Sequence, residues 1–129
     1  ELEEVAVLDV TGTNSFTASC TASWQTNAIN ARLAASTYAN DSYSVFSNGL
    51  LGTRYTTWFG TFDSGRYGTV GNHFLNIRNA VDTATPMTFD CSCPDVADPA
   101  NTFAYVFPNQ PYTIHLCGLF WAAPLTGTD

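Results

Sequence analysis

Four cysteines constrain the fold of this chain more than any other residue type. They are Cys20, Cys91, Cys93 and Cys117 in a chain of 129 residues. Cys91 and Cys93 are separated by one residue instead of the two found in zinc and redox motifs, and no second close pair follows. With a charged fraction of only 12%, the cysteines predict a secreted domain with two disulfides. Four cysteines can pair in three ways, and their spacing alone does not choose among them.

Charge and composition exclude several partners. The chain has no lysine, and four Arg against eleven acidic residues give a net charge of −7, so nucleic acid and anionic membranes are not expected partners. No apolar run approaches the roughly 20 residues of a membrane span, so no membrane insertion is expected. The acidic start at residues 1–4 indicates that any signal peptide has already been removed. Asn40 begins the single N-glycosylation sequon and is the predicted glycan attachment site.

Helical periodicity predicts two main helices. The first runs from residue 21 to about residue 46, with Ser19 or Thr21 as its N-cap and Gly49 near its end. The second runs from residue 64 to residue 79. The aromatic segment between them, residues 54–60, has no clear period and is predicted to be a packed loop. The core-facing residues predicted from these patterns are Trp24, Ala28, Ala31, Ala35 and Tyr38 in the first helix, and Val70, Phe74, Ile77 and Val81 in the second.

Short β-branched and aromatic runs predict the strands. An N-terminal strand is expected at residues 5–10, with a turn at 11–14, and three more at 88–93, 103–107 and 113–117. The proline-containing segments between the last three are predicted to be turns that join neighbouring antiparallel strands. The chain is therefore predicted to be one α/β domain over residues 1–129, with a mostly antiparallel sheet of three to five strands.

Four sequence blocks carry a family resemblance. They are RYTTWFG at 54–60, FDCSC at 89–93, FAYVFPN at 103–109 and LCGLFW at 116–121. In this order they resemble the deuterolysin family of fungal secreted metallopeptidases, in particular its mushroom peptidyl-lysine branch. The resemblance covers residues 16–129, so residues 1–15 form an added N-terminal strand segment and the rest a peptidase-like scaffold. It implies the disulfides Cys20–Cys91 and Cys93–Cys117.

The zinc motif of that family is missing from the 129 residues. A zinc peptidase of this kind needs two His one helical turn apart and a Glu between them. The only two His, His73 and His115, lie in separate segments. No catalytic or metal-binding residue is carried over, so the sequence predicts a protein that is not an enzyme and has no cofactor. Without the zinc helix, apolar surface would be exposed, and a strand at residues 5–10 or a homodimer contact would cover it.

The size and overall character of the chain also resemble the small secreted lectins of ink-cap mushrooms that bind fucosylated, N-acetylgalactosamine-containing glycans. That resemblance implies an α/β/α sandwich, a homodimer and a role in fungal defence. The leading hypothesis is therefore a non-catalytic, secreted glycan-binding protein. Two alternatives remain open: a protein-binding effector or protease inhibitor, and a processed fragment of an active zinc endopeptidase.

A sugar site needs a flat aromatic ring beside planar hydrogen-bonding groups. A core role is the alternative for Trp121, and a satisfied, partly buried His is the alternative for His115. The aromatic segment with Tyr55 and Trp58 is the next candidate, although a core role is favoured for Trp58. The predicted ligand-binding residues are Tyr105, Asn109, Tyr112, His115 and Trp121.

Overall fold

The computed structural model describes residues 13–124, which form a mixed α/β fold. The described residues divide into two compact units: a first unit of residues 13–34 and 83–124, and a second unit of residues 35–82. None of the described helices is long and apolar enough to cross a membrane. The elements in chain order are β1 (Asn14–Phe16), α1 (Ala22–Ser47), α2 (Thr53–Phe59), α3 (Ser64–Val81), β2 (Met87–Asp90), a short 3-10 helix (Pro99–Asn101), β3 (Ala104–Tyr105), β4 (Thr113–Leu116) and α4 (Gly118–Ala122).

The sheet lies in the first unit and has the strand order β1-β2-β4-β3. β1 pairs with β2 and β2 with β4 in parallel, whereas β3 and β4 are antiparallel. The prediction of a mostly antiparallel sheet is therefore wrong. Helices intervene between β1 and β2, and a long connection with its own 3-10 helix follows β2; connections of this length allow neighbouring strands to run parallel. β2 and β3 are not neighbours, so only the turn between β3 and β4 has the predicted role.

Both predicted disulfides are confirmed. Cys20 is bonded to Cys91 and Cys93 to Cys117, and the described residues contain no free cysteine. The first bridge joins the segment before α1 to the end of β2, and the second joins the segment after β2 to the end of β4. The surrounding core consists of Phe16, Cys20, Ala28, Met87, Phe89, Cys91 and Leu116, with Trp24, Ile29, Ile114, Phe120 and Trp121 packed against it.

A buried arginine near the middle of α1 connects the helix to the sheet. Arg32 is 5% exposed, and its guanidinium donates hydrogen bonds to Asn14 Oδ1 at 2.8 Å and to the carbonyl oxygen of Thr85. Asn14 begins β1, and Thr85 lies just before β2. Burying a charge is costly unless hydrogen bonds compensate for it, and these two bonds connect α1 to the first residue of β1 and to the segment just before β2. Asn14 was predicted to end a turn at residues 11–14, but it begins β1 instead. The predicted strand at residues 5–10 lies outside the described residues.

The first helix begins and ends close to where the sequence predicts. Thr21 is the N-cap, because its Oγ1 accepts a hydrogen bond from the backbone N–H of Trp24 at 3.2 Å. Gly49, with φ +65°, follows the last turn and takes a left-handed conformation that favours glycine. Ser19 is not the cap. Its hydroxyl is hydrogen-bonded to Asp90 instead, and Tyr38, predicted to be buried, is 48% exposed.

The second unit is helical and has an aromatic core. Phe46 of α1 contacts Tyr55 of α2 and both Tyr67 and Phe74 of α3, with ring centroids 5.0–6.2 Å apart. The close approach of α3 to α1 depends on Gly71, since a Cβ there would lie 3.2 Å from the Cβ of Phe46. Ile77 is 49% exposed, so its predicted burial is wrong.

The predicted loop at residues 54–60 is wrong, because residues Thr53–Phe59 form α2. Tyr55 and Phe59 lie one turn apart and contact each other with ring centroids at 5.2 Å. Trp58, for which a core role was favoured, is 77% exposed. Because this short helix carries aromatic residues on both faces, its sequence does not show the apolar periodicity typical of an amphipathic helix.

Candidate functional site

A buried carboxylate and imidazole meet at the carboxyl ends of the parallel strands. Asp90 is the last residue of β2, and it lies opposite His115 of β4 in the parallel register. The distance from His115 Nδ1 to Asp90 Oδ2 is 2.7 Å, and both residues are 8% exposed. An ionised carboxylate can only accept hydrogen bonds, so Nδ1 carries the proton and donates it. The pair links β2 to β4 beneath the surface.

The second carboxylate oxygen of Asp90 accepts hydrogen bonds from several groups. Asp90 Oδ1 accepts hydrogen bonds from Thr17 Oγ1 at 3.0 Å, from Ser19 Oγ at 3.2 Å, and from the backbone N–H and hydroxyl of Ser92 at 3.1 and 2.8 Å. Burial by itself raises the pKa of this carboxyl, but the hydrogen bonds from His115, Ser92 and Thr17 outweigh it and lower the pKa from 3.8 to about 2. Asp90 is therefore ionised at any physiological pH.

Aromatic rings enclose the imidazole of His115. The Tyr105 ring stacks on it with centroids 4.6 Å apart and 11° between planes, and Phe107 meets it edge-on at 5.6 Å. Burial raises the pKa of the Tyr105 hydroxyl above its ordinary value, and that hydroxyl accepts a hydrogen bond from the Asp95 backbone N–H at 3.1 Å. His115 Nε2 is buried and has no hydrogen-bond partner within residues 13–124.

The Asp90–His115 pair does not form a serine-hydrolase triad. In such a triad the serine hydroxyl bonds to the imidazole nitrogen opposite the carboxylate. Here the Ser92 hydroxyl bonds to both oxygens of Asp90, at 2.8 and 3.0 Å, and His115 Nε2 faces no hydroxyl in the described structure. Within residues 13–124 the cluster therefore links β2 to β4 and brings no hydroxyl to His115 Nε2.

The other predicted ligand-binding residues do not converge on one site. Trp121, on α4, stacks on Trp24 with centroids 4.4 Å apart and packs against the core, so the structure supports the core alternative for this residue. Asn109 and Tyr112 lie in the exposed loop between β3 and β4, where Tyr112 adopts a left-handed φ of 66°. Of the five, Tyr105 and His115 stack on each other in the described structure.

Replacing Trp121 with alanine is expected to lower the free energy of unfolding by about 2–3 kcal/mol. The change removes the stack on Trp24 and the edge contact with Phe120, and the cost lies below that of a fully buried tryptophan because Trp121 is only half-buried. Urea unfolding of the variant measures the loss, and Tyr112→Ala, an exposed aromatic of the same unit, is the control. A loss of less than 1 kcal/mol would contradict a core role.

The described residues do not contain a ligand set for a metal ion. No group of three His, Cys, Asp or Glu side chains lies close enough to hold one within residues 13–124. All four cysteines are oxidised, and His115 already uses Nδ1 on Asp90. His73 is exposed on α3 in the second unit. The donors present here therefore do not fit a catalytic metal.

A cavity of about 690 Å³ lies within the second unit. It is lined mainly by apolar and aromatic side chains from α1, α2 and α3, with Asp41 and Arg54 as its charged members. Two of its lining residues, Tyr55 and Trp58, belong to the segment predicted as the next candidate after the sugar site. The signal that could have identified the cavity is the block RYTTWF, in which Arg54 and Trp58 are four residues apart and share a helix face. Its main apolar lining residues are Val45, Phe46, Tyr55, Trp58, Phe59 and Phe74.

Comparison with known proteins identifies relatives over most of the chain. Residues 44–129 match the lysine-specific metallo-endopeptidase family. The chain is 43% identical over 111 residues to peptidyl-Lys metalloendopeptidases of Grifola frondosa and Pleurotus ostreatus, which covers 85% of this chain and 30% and 62% of those proteins. It is 40% identical over 121 residues to an extracellular protease of Aeromonas hydrophila, covering 93% of this chain and 33% of that protein. The chain thus spans between about a third and three-fifths of these relatives.

These matches correct the functional interpretation of the sequence. The prediction that the protein is not an enzyme is wrong, because its relatives are peptidases. The absence of His-Glu-x-x-His from 129 residues does not exclude an enzyme when those residues correspond to only part of each relative. The lectin and carbohydrate-binding hypothesis is wrong as well, since it rested on size and overall character, which many secreted proteins share. By the family match over residues 44–129, the chain belongs to the lysine-specific metallo-endopeptidase family.

Proposed function

We propose that this chain is part of an extracellular, metal-dependent endopeptidase that cleaves proteins at lysine residues. The observation that carries the proposal is the 43% identity, over 85% of the chain, to proteins named peptidyl-Lys metalloendopeptidases. The relative named as an extracellular protease and the two disulfides support secretion. Of the three functional hypotheses drawn from the sequence, this is the endopeptidase alternative.

The exposed edge of the sheet suits an endopeptidase. β3 is the outer strand of the described sheet, and within residues 13–124 only one of its edges is paired, with β4. An unpaired strand edge can bind an extended peptide through backbone hydrogen bonds, whatever its side chains. Phe103 and Val106 flank β3 and are 57% and 60% exposed, so apolar side chains of a bound peptide would have surfaces to contact.

The metal is proposed to be held by residues other than those described here. An endopeptidase metal would supply a polarised water for attack on the peptide bond. Residues 13–124 contribute the disulfide-bonded frame, and the ionised Asp90 keeps that frame intact. The net charge of −7 favours approach of cationic, lysine-containing substrates, although it does not select lysine over arginine.

A cleavage assay with the natural polypeptide that contains this sequence tests the proposal. It should cleave a peptide with a single lysine and leave the matched peptide with arginine at that position largely intact. A chelator should abolish cleavage, and added Zn²⁺ should restore it. The intact mass of the purified protein, compared with the 13.9 kDa of these 129 residues, shows whether they belong to a longer chain. Equal cleavage of the two peptides would refute lysine specificity, and cleavage that survives the chelator would refute metal dependence.

A further inference from the structure

We propose that the cavity of the second unit is a binding site for an apolar peptide whose carboxylate is held by Arg54. The site lies wholly within residues 35–82 and shares no residue with the sheet edge or with the Asp90 cluster. The proposal rests on residues 35–82 alone and does not depend on the proposed activity.

The shape of α2 places a charge and a large ring on one wall of the cavity. Arg54 and Trp58 are one helical turn apart, so both side chains lie on the same face of α2. Both line the cavity, together with the neighbouring Tyr55. Tyr55 is 4% exposed and packs into the aromatic core, whereas Trp58 is 77% exposed and contacts no other ring in the described residues. The ring of Trp58 is therefore available to a ligand.

Arg54 is the arginine whose side chain has no protein partner within residues 13–124. The other arginines have acceptors: Arg32 bonds to Asn14, Arg66 to the carbonyl oxygen of Thr61, and Arg78 to Asn40. Within residues 13–124 Arg54 makes neither a hydrogen bond nor an ion pair, even with Asp41 of the same cavity. A guanidinium beside an apolar surface binds a carboxylate through two parallel hydrogen bonds. Arg54 therefore offers a group that can bind a ligand carboxylate, and Asp41 is the other charged residue of the lining.

The rim of the cavity favours a peptide over a small acid or a fatty acid. Leu50, Leu51 and Trp58 line it and are 56%, 49% and 77% exposed. Walls this exposed leave the cavity open along one side, whereas small ligands are mostly enclosed by their sites. Trp, Tyr and Arg are the residue types that contribute most to binding at protein interfaces. The Asp41 carboxylate can accept a backbone N–H of a peptide, a group that a fatty acid lacks.

Calorimetric titration of the full chain with paired peptides tests this proposal. The probe is acetyl-Phe-Leu-Leu with a free C-terminal carboxylate, and its control is the same peptide as the C-terminal amide. The carboxylate should bind about tenfold more tightly, as expected for a charged hydrogen-bonded pair. Arg54→Gln should bind both peptides equally weakly, and Trp58→Ala should weaken both while Trp58→Tyr restores most of the affinity.

Arg78→Gln is the charge-matched control, because Arg78 belongs to the same unit and does not line the cavity. It should retain the preference for the carboxylate. Thermal melting of every variant verifies that the helices are folded. Equal binding of carboxylate and amide by the wild type, or an unchanged preference in Arg54→Gln, would overturn the proposal. Binding of decanoate in the absence of peptide binding would overturn it too, and would assign the cavity to a fatty acid. The readout is binding, so a loss of peptidase activity leaves the result unaffected.

Discussion

Asp90→Ala is expected to lower the free energy of unfolding by about 3–5 kcal/mol, the cost of removing one partner from a buried charged pair. The loss arises because His115 Nδ1, Thr17 Oγ1 and the donors of Ser92 would all lose their acceptor inside the protein. Urea unfolding followed by circular dichroism gives the change in stability. Asp98→Ala, which removes an exposed carboxylate that accepts hydrogen bonds from Asn101, is the control and should cost less than about 1 kcal/mol.

The pH dependence of the isosteric variant Asp90→Asn separates the charge of Asp90 from its shape. The folded pKa of about 2 lies below the ordinary 3.8, so the stabilisation by this charge is complete above about pH 4 and is lost as pH falls towards 2. The difference in melting temperature between wild type and Asp90→Asn should therefore narrow as the pH is lowered from 6 to 2.5. A difference that stays constant over this range would show that the charge of Asp90 contributes nothing to stability.

Removal of the Cys20–Cys91 bridge by a double alanine substitution is expected to cost about 4 kcal/mol, and removal of Cys93–Cys117 about 3.5 kcal/mol. The first bridge spans 71 residues and the second 24, and a longer loop restricts the unfolded chain more. Substituting both cysteines of a pair leaves no free thiol to form a wrong disulfide. Guanidinium unfolding of the two double variants supplies the comparison.

The order of the two effects is the informative result. If loss of the shorter bridge were the more damaging, the entropy of the unfolded chain would not account for the stabilisation, and contacts around Cys117 in the folded state would have to explain it. The same variants should retain the Phe16–Phe89 stack and the pairing of β2 with β4, because neither depends on the sulfur atoms.

The sequence predicted local features of the fold better than the arrangement of its strands. Thr21 and Gly49 delimit α1 because a cap and a left-handed glycine act on the backbone next to them. The three later strands were located for the same reason, since β-branched and aromatic residues favour extended backbone. The direction of β2 relative to β4 depends on the path of the chain between them, which no local pattern encodes. α2 was missed because both of its faces carry aromatic residues.

The surroundings of the candidate site residues depend on tertiary contacts that local sequence patterns do not encode. Tyr105 and His115 do contact each other, because antiparallel pairing of β3 with β4 places them opposite one another. An aromatic residue such as Trp121 looks the same in the sequence whether it binds a ligand or packs in the core. Here it stacks on Trp24, a tertiary contact that the local sequence does not encode. The network around Asp90 joins residues far apart in the chain, so spacing could not reveal it. The cavity beside Arg54 depends on three helices meeting, which periodicity in one helix cannot show.

The parallel pairing of β1 with β2 has a consequence for biosynthesis. Cys20 emerges from the ribosome 71 residues before Cys91, an interval of about 4–14 s at ordinary rates of translation. During that interval β1 has no partner strand and Cys20 has no native sulfur to join. Cys91 and Cys93 then emerge almost together. If Cys20 has been oxidised to a mixed disulfide, either of these two thiols, which are one residue apart, can attack it. Docking of β1 beside β2 before the bond forms would favour the native bridge, because it brings Cys20 next to Cys91.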